Sequence, residues 1–317
     1  MSTAARFGLT VGVLPYWWPR AALLAFYAEV AESAADTVVL GEQVCSRRHE
    51  FRTDDWLALA GDLSAAGKRV ALATQALVTS EAELRGLRRL CEQDRFEVEA
   101  GDASALAVLA RLRAADPTRP PFVLGPHVNV YSRDALAELA PLGVGTWVPP
   151  LELALEDVRR INPPDDPVPG AIGPVETEVF AFGRMPLAFS ARCFTARHHR
   201  LAKDDCQFRC RDDADGLLLS TGDGRPFLVL NGVQTQSAAL QCLIGDRAAL
   251  AEAGARRLRL SPCSRDFARV LGLFDAVFNG GADVDDARAE LAQLELPGNL
   301  VNGFAHRRAG IDSVSAA

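Results

Sequence analysis

Three thiols fall within one short stretch of the chain, Cys193, Cys206 and Cys210, in the run RCFTARHHRLAKDDCQFRC with spacing C-x12-C-x3-C. Thiolates are soft ligands that select zinc, copper(I) or iron–sulfur clusters. Cations favour the thiolate form, so Arg192, Arg197, Arg200, Lys203, Arg209 and Arg211 should hold these thiols below their ordinary pKa. Four thiolates complete either a zinc tetrahedron or a cubane cluster, and the stretch supplies three. Structural zinc sites pair thiols in C-x2–4-C knuckles, a form that only Cys206 and Cys210 have, and this spacing favours iron–sulfur over zinc. His198 and His199 are ligand types as well, but adjacent histidines in an arginine-rich loop read as solvated.

The elements that must position these thiols alternate from the start. Short apolar runs at Leu9–Tyr16, Thr37–Gly41, Arg69–Gln75, Phe96–Asp102, Pro121–Val130 and Thr146–Pro149 alternate with helical patterns, the rhythm of βα units and a parallel sheet. Thr53 and Asp54 are the capping candidates for the second helix. The Pro- and Gly-rich run Asn162–Pro174 reads as a surface connection, because strand-like Val175–Met185 resumes at once. Beyond that seventh strand come the cysteines and a hairpin, Leu217–Leu219 and Phe227–Leu230 around TGDGRP. A helix over Ser237–Leu250, an eighth strand over Arg256–Leu260 and a helix over Phe267–Phe278 complete the pattern. The expectation is a TIM-like (β/α)8 barrel, a single domain over residues 1–317 with a small β-hairpin insertion after strand seven, its cysteine-bearing insert at about 187–233. Ile311–Ala317 is small and polar enough to fray.

In such a barrel, functional groups gather on the face formed by the loops after the strands, so a remote cysteine can join the triplet. Cys45 follows strand two and Cys263 follows strand eight; spacing leaves the two nearly tied for the fourth ligand. Cys91 and Cys242 fall in helical patterns and read as small buried apolar residues. Glu42, beside Cys45, is a candidate acid, base or supporting group. Glu176 and Glu178 share one face of strand seven and would matter if that face were the barrel interior. Tyr16, Trp17 and Trp18 after strand one are either core or an apolar wall for a ring-shaped substrate.

A net charge of −7 argues against broad nucleic-acid binding, which requires a basic footprint. Seven cysteines, an odd number spread along the chain, and an N-terminus without a signal-peptide pattern suit reduced thiols in the cytoplasm. No apolar run approaches the ~18 residues of a transmembrane segment.

The segments GRMPLAFSARCFTAR, KDDCQFRC and LGEQVCSRR together resemble the collagenase-like peptidase family, in particular its ubiquinone-biosynthesis branch. GPHVNVYS around Asn129 and NGFAHRRAG, with Asn302, Gly303 and Phe304, are also similar to family segments. The resemblance implies a 4Fe-4S cluster held by Cys45, Cys193, Cys206 and Cys210, choosing Cys45 over Cys263. It implies a subunit of an oxygen-independent hydroxylase that acts on a ubiquinone precursor as a heterodimer with UbiU. Lys203, Arg192 and Arg197 would then offset the negative charge of a cluster or bind an anionic donor such as a carboxylate, and otherwise read as a solvated basic loop. Such a cluster near an open barrel face is expected to be oxygen-labile. Peptidase chemistry is not expected, since neither H-E-x-x-H nor G-x-S-x-G occurs. Two other readings stay open at this point, hydroxylation of RNA bases by a family relative and a non-catalytic subunit stabilised by zinc or a cluster.

Overall fold

The computed structural model describes residues 6–314; the terminal residues 315–317, included in the expected fraying segment, lie outside that range. β1 (Gly8–Val11), β2 (Thr37–Leu40), β3 (Arg69–Ala73), β4 (Glu97–Ala100), β5 (Phe122–Leu124) and β6 (Val144–Trp147) pair in sequence order, each parallel to the last. A two-strand ribbon, β7 (Pro169–Gly170) with β8 (Gly173–Pro174), occupies the Pro/Gly-rich connection. The seventh barrel strand is β9 (Glu176–Phe189), followed by β10 (Leu217–Ser220), β11 (Pro226–Asn231) and β12 (Gln234–Cys242). The eighth barrel strand is β13 (Ala255–Leu260), and β14 (Leu300–Val301) adds a short edge to β12. β13 lies parallel between β9 and β1, and β9 also pairs with β6, which closes the barrel. The fold is therefore an eight-stranded parallel β/α barrel.

Helices α1 (Arg20–Glu32), α2 (Thr53–Ala65), α3 (Glu81–Glu92), α4 (Ala103–Ala115), α5 (Arg133–Leu139) and α6 (Leu155–Ile161) alternate with the first strands. After α7 (Phe194–His198) in the insert come α8 (Arg247–Glu252), α9 (Phe267–Phe278) and α10 (Val284–Leu291). Their starts follow local chemistry: Ser80, Asp102 and Ser132 accept the backbone N–H three residues on and satisfy a donor that the first helical turn leaves free. For α2 the expected cap is displaced. The helix begins at Thr53, and Asp55 Oδ2 accepts the Arg52 N–H at 2.9 Å, so the carboxylate reaches back instead of Thr53 or Asp54 capping forward.

The period of two sorts each strand. Leu9, Val11, Val98, Ala100, Leu258 and Leu260 face the helices and join the main core, where each fully buried aliphatic side chain contributes roughly 1.5–3 kcal/mol. The alternate residues Thr10, Glu99, Glu178 and Arg259 face inward and are almost wholly buried. Arg259 Nη2 donates to Glu99 at 2.5 Å and Nε donates to Glu178 at 2.6 Å, while Glu178 also accepts from Thr10 Oγ1 at 2.8 Å. The interior of this barrel is thus held by an ionic triad. One layer lower, Glu176 pairs with Arg257 and stands half exposed at the far mouth.

One expected helix is absent. Ser237–Leu250 begins as strand, because β12 runs antiparallel to the long β9 and carries β11 and β10 beyond it. The helical spacing of its apolar residues yields to that pairing, and only α8 remains helical. Cys242 accordingly ends a strand and does not sit on a helix. The insertion is correspondingly larger than a hairpin, a three-stranded antiparallel extension of the barrel wall that overhangs the face where the strand-following loops gather.

Candidate functional site

Cys45 lies in the loop after β2. Cys193 caps α7, and Cys206 and Cys210 flank Phe208 in a pair of short turns over Lys203–Asp205 and Arg209–Arg211. Cys45 and Cys210 stand close enough that each thiolate would raise the energy of the other, and Cys210 is similarly coupled to Cys193 and Cys206. The four predicted cysteines thus converge around Cys210 despite the 148 residues between Cys45 and Cys193 (193 − 45). Cys263 does not join them; it is buried, its thiol donates to the Arg265 carbonyl at 3.2 Å, and its charged neighbours are Asp215, Arg184 and Asp266. Cys91 is fully buried in α3. Among the described residues no group of three or more His, Cys, Asp or Glu side chains is drawn together tightly enough for a single metal ion.

Two loops distant in sequence are stitched to each other here. Arg47 Nη1 and Nη2 donate to the carbonyls of Lys203 and Asp204, and Arg211 pairs with Glu50 at 2.8 Å. Phe208, in the left-handed backbone region at φ 54°, packs edge-on to Trp17 with ring centroids 5.0 Å apart. The Arg211 guanidinium lies 4.0 Å from the Trp17 ring. Trp17 therefore forms the floor of the Cys206–Cys210 turn, while Trp18 donates from Nε1 to the Ala214 carbonyl at 2.8 Å. On the other side, Phe194 N–H donates to the Gly232 carbonyl and Gly232 N–H to Thr195 Oγ1, which fixes Cys193 to the β11–β12 turn.

The expectation of a lowered thiol pKa is corrected by burial at Cys210. Cys45 and Cys210 are both pushed up from the ordinary thiol value, because removing a thiolate from water costs more than the nearby cation returns. The cation that matters is Arg48, which its sequence context alone does not single out. It is 4 % exposed, donates to the Pro15 carbonyl at 2.6 Å and to Asn231 Oδ1 at 2.6 Å, and its charge favours the thiolates of Cys45 and Cys210. By contrast, Arg192 and Arg197 are exposed, and Lys203 turns its ammonium to the Ala191 carbonyl at 3.0 Å. The doublet SRR directly after Cys45 was the available signal. His198 is exposed and His199 partly covered, with ring centroids 5.1 Å apart.

Glu42 braces the backbone of the remote ligand. Its Oε1 accepts from the N–H groups of Val44 and Cys45 at 2.9 and 3.0 Å, and Arg48 Nη1 stands 3.8 Å away. Burial raises its pKa, with Arg48 and the two N–H donors pulling the other way. The sulfurs also receive backbone donors, Arg47 N–H toward Cys45 and Ala196 N–H to Cys193 Sγ at 3.4 Å. Four converging thiols, one buried guanidinium and N–H donors aimed at sulfur form a donor set that fits an iron–sulfur cluster, whose potential depends on such hydrogen bonds and burial.

The family model described as peptidase family U32 matches residues 24–310. Among solved structures, the U32 peptidase Mk0906 is similar at 13 % identity, covering 83 % of this chain and 95 % of its own, with a TM-score of 0.43. A putative dihydrodipicolinate synthetase from Pseudomonas aeruginosa is similar at 10 % identity over 89 % and 79 % of the two chains, TM-score 0.45. The spore cortex-lytic enzyme SleL of Bacillus megaterium is similar at 12 % identity over 88 % and 76 %, TM-score 0.43.

Proposed function

The chain belongs to peptidase family U32, and from that premise we propose that it is a UbiV-type iron–sulfur subunit, acting with UbiU in oxygen-independent hydroxylation of a ubiquinone precursor. The observation that carries this reading is the coupling of Cys45 to Cys210 across the barrel face, with buried Arg48 between the two loops. Cys45, Cys193, Cys206 and Cys210 would hold a 4Fe-4S cluster, which when bound supplies one-electron transfer.

The protein's own contribution is electrostatic and positional. Arg48 keeps its charge through its contact with Glu42 and the sulfurs, and it offsets the negative charge that four thiolates bring. Glu42 fixes the Val44–Cys45 backbone that carries the remote thiol. Trp17 packs against Phe208, between Cys206 and Cys210 in the chain, and braces that turn. Thiols committed to a cluster are not available as nucleophiles, so the reading assigns no peptidase activity to them.

The experiment is reconstitution under argon of the purified chain with UbiU and a ubiquinone precursor. Hydroxylated product that requires both chains and is lost in Cys210→Ser supports the proposal. Product formed by UbiU alone would move this chain to a structural subunit, and salt-sensitive co-purification of RNA would move it to an RNA-modifying role.

A further inference from the structure

A cleft of about 460 Å³ opens between α2 and α3, at the C-terminal ends of β2 and β3. That volume lies within the roughly 300–1,000 Å³ usual for small-molecule sites. Leu40, Phe51, Trp56, Leu72, Leu87 and Leu90 wall it, so water has few partners over much of its surface. None of the four thiols lines it, although Glu42, Ser46 and Arg48 come from the loop that carries Cys45. Gly86, inside α3, lines the same space. Its φ is not in the left-handed region and a Cβ there would meet no atom within 4 Å, so neither backbone nor packing requires a glycine, which weakens a helix interior. With Ala82 one turn earlier on the same wall, it keeps open a volume that a larger side chain would fill.

Hydrogen bonding and charge decide what the cleft accepts. Glu83 has both oxygens engaged, Oε1 by the Ser46 hydroxyl at 2.6 Å and Oε2 by the Thr79 N–H at 2.6 Å and hydroxyl at 3.0 Å. Glu42 uses one oxygen only. Its Oε1 accepts from Val44 and Cys45, and Arg48 Nη1 stands 3.8 Å from that same atom. Glu42 Oε2 has no hydrogen-bond partner among the described residues, and a carboxylate oxygen beside apolar walls calls for a donor. An anion would meet both carboxylates, and a cation would meet Arg48 and Arg52, which also line the cleft. The two signs cancel, so a neutral molecule leaves that balance undisturbed and brings no charge out of water. Its body must be apolar to match the walls.

We propose that the cleft between α2 and α3 binds a neutral, largely apolar small molecule whose N–H or O–H donates to Glu42 Oε2. Because Oε1 of the same carboxylate holds the Cys45 N–H, the bound molecule shares a support with the remote thiol while lying apart from the sulfurs. The site does not rest on the hydroxylation reading.

The test is saturation-transfer NMR titration of the full-length chain, purified without air and held in mildly alkaline buffer to keep Glu42 ionised. The probes are indole, 1-methylindole, tryptamine and indole-3-acetate. Indole should bind at least about tenfold tighter than 1-methylindole, which keeps its shape and lacks its donor, the value of one hydrogen bond to a charged group. The cation tryptamine and the anion indole-3-acetate should both bind more weakly than indole. Glu42→Leu should remove the preference for indole over 1-methylindole. Gly86→Leu and, independently, Ala82→Leu should abolish binding of both neutral probes with the circular-dichroism spectrum native. Equal binding of indole and 1-methylindole, tighter binding of either charged probe, no binding of any probe, or unchanged binding in the two cleft-filling variants would each overturn the assignment. The titration needs neither the cluster nor UbiU. Its failure leaves the hydroxylation reading standing, and a chain without iron leaves this site standing.

Discussion

His127 offers a sharp prediction, because its imidazole is enclosed beside a permanent cation. Burial first, and Arg259 second, lower its pKa from 6.5 to about 4. A histidine held neutral in the folded state and free to protonate when unfolded destabilises the fold as acid is added. Its contribution is fully present above the unfolded value and is lost as pH falls from about 6.5 through about 4. Linkage gives a loss of about 2 kcal/mol between pH 7 and pH 5 and about 3 kcal/mol by pH 4, from ~1.4 kcal/mol per unit of pKa difference. Urea unfolding of the wild type and of His127→Asn at both pH values isolates this contribution, since every other titrating group is shared. The wild type should lose about 2 kcal/mol more than the variant on going from pH 7 to pH 5. An equal loss in both proteins, or a histidine side-chain NMR titration with a midpoint near 6.5, would refute the argument that burial, seconded by Arg259, holds the imidazole neutral.

Arg259→Met removes the cation between two buried carboxylates and should destabilise by about 3–5 kcal/mol in urea at neutral pH, with much of the loss recovered when Glu99 and Glu178 are also neutralised as glutamines. Trp17 and Phe208 should couple by about 0.5–1.5 kcal/mol in a double-mutant cycle read by unfolding, with no coupling between Trp17 and the distant Phe122. Gly303→Ala would place a Cβ 1.9 Å from the Ala309 carbonyl oxygen, so the Asn302–Asp312 clasp should open and limited proteolysis should cut there first.

Much of the barrel is legible in the chain, because each βα unit writes its own period and needs no distant partner to be recognised. The segment Ser237–Leu250 is not, since its apolar spacing suits a helix and only the extra length of β9 makes it a strand. The triad shows a subtler version of the same limit. The alternation of Glu176 and Glu178 is visible in sequence, as are EVEA and RRLRL, but the meeting of Glu99, Glu178 and Arg259 exists only once the strands close. At the cysteines, spacing identified the triplet and left Cys45 and Cys263 nearly tied. Proximity to Cys210 then distinguishes Cys45, whereas the thiol of Cys263 turns to its own loop. Arg48 is not legible in the same way, because a doublet of arginines reads as surface charge, whereas the carbonyl of Pro15 and the side chain of Asn231 enclose it.

The most direct test of the account is the iron and acid-labile sulfide content, with the visible absorption spectrum, of protein purified without air. The account predicts about four iron and four sulfide per chain, lost in Cys45→Ser and kept in Cys263→Ser. One zinc per chain with no visible absorption, or loss of iron in Cys263→Ser with retention in Cys45→Ser, would contradict it.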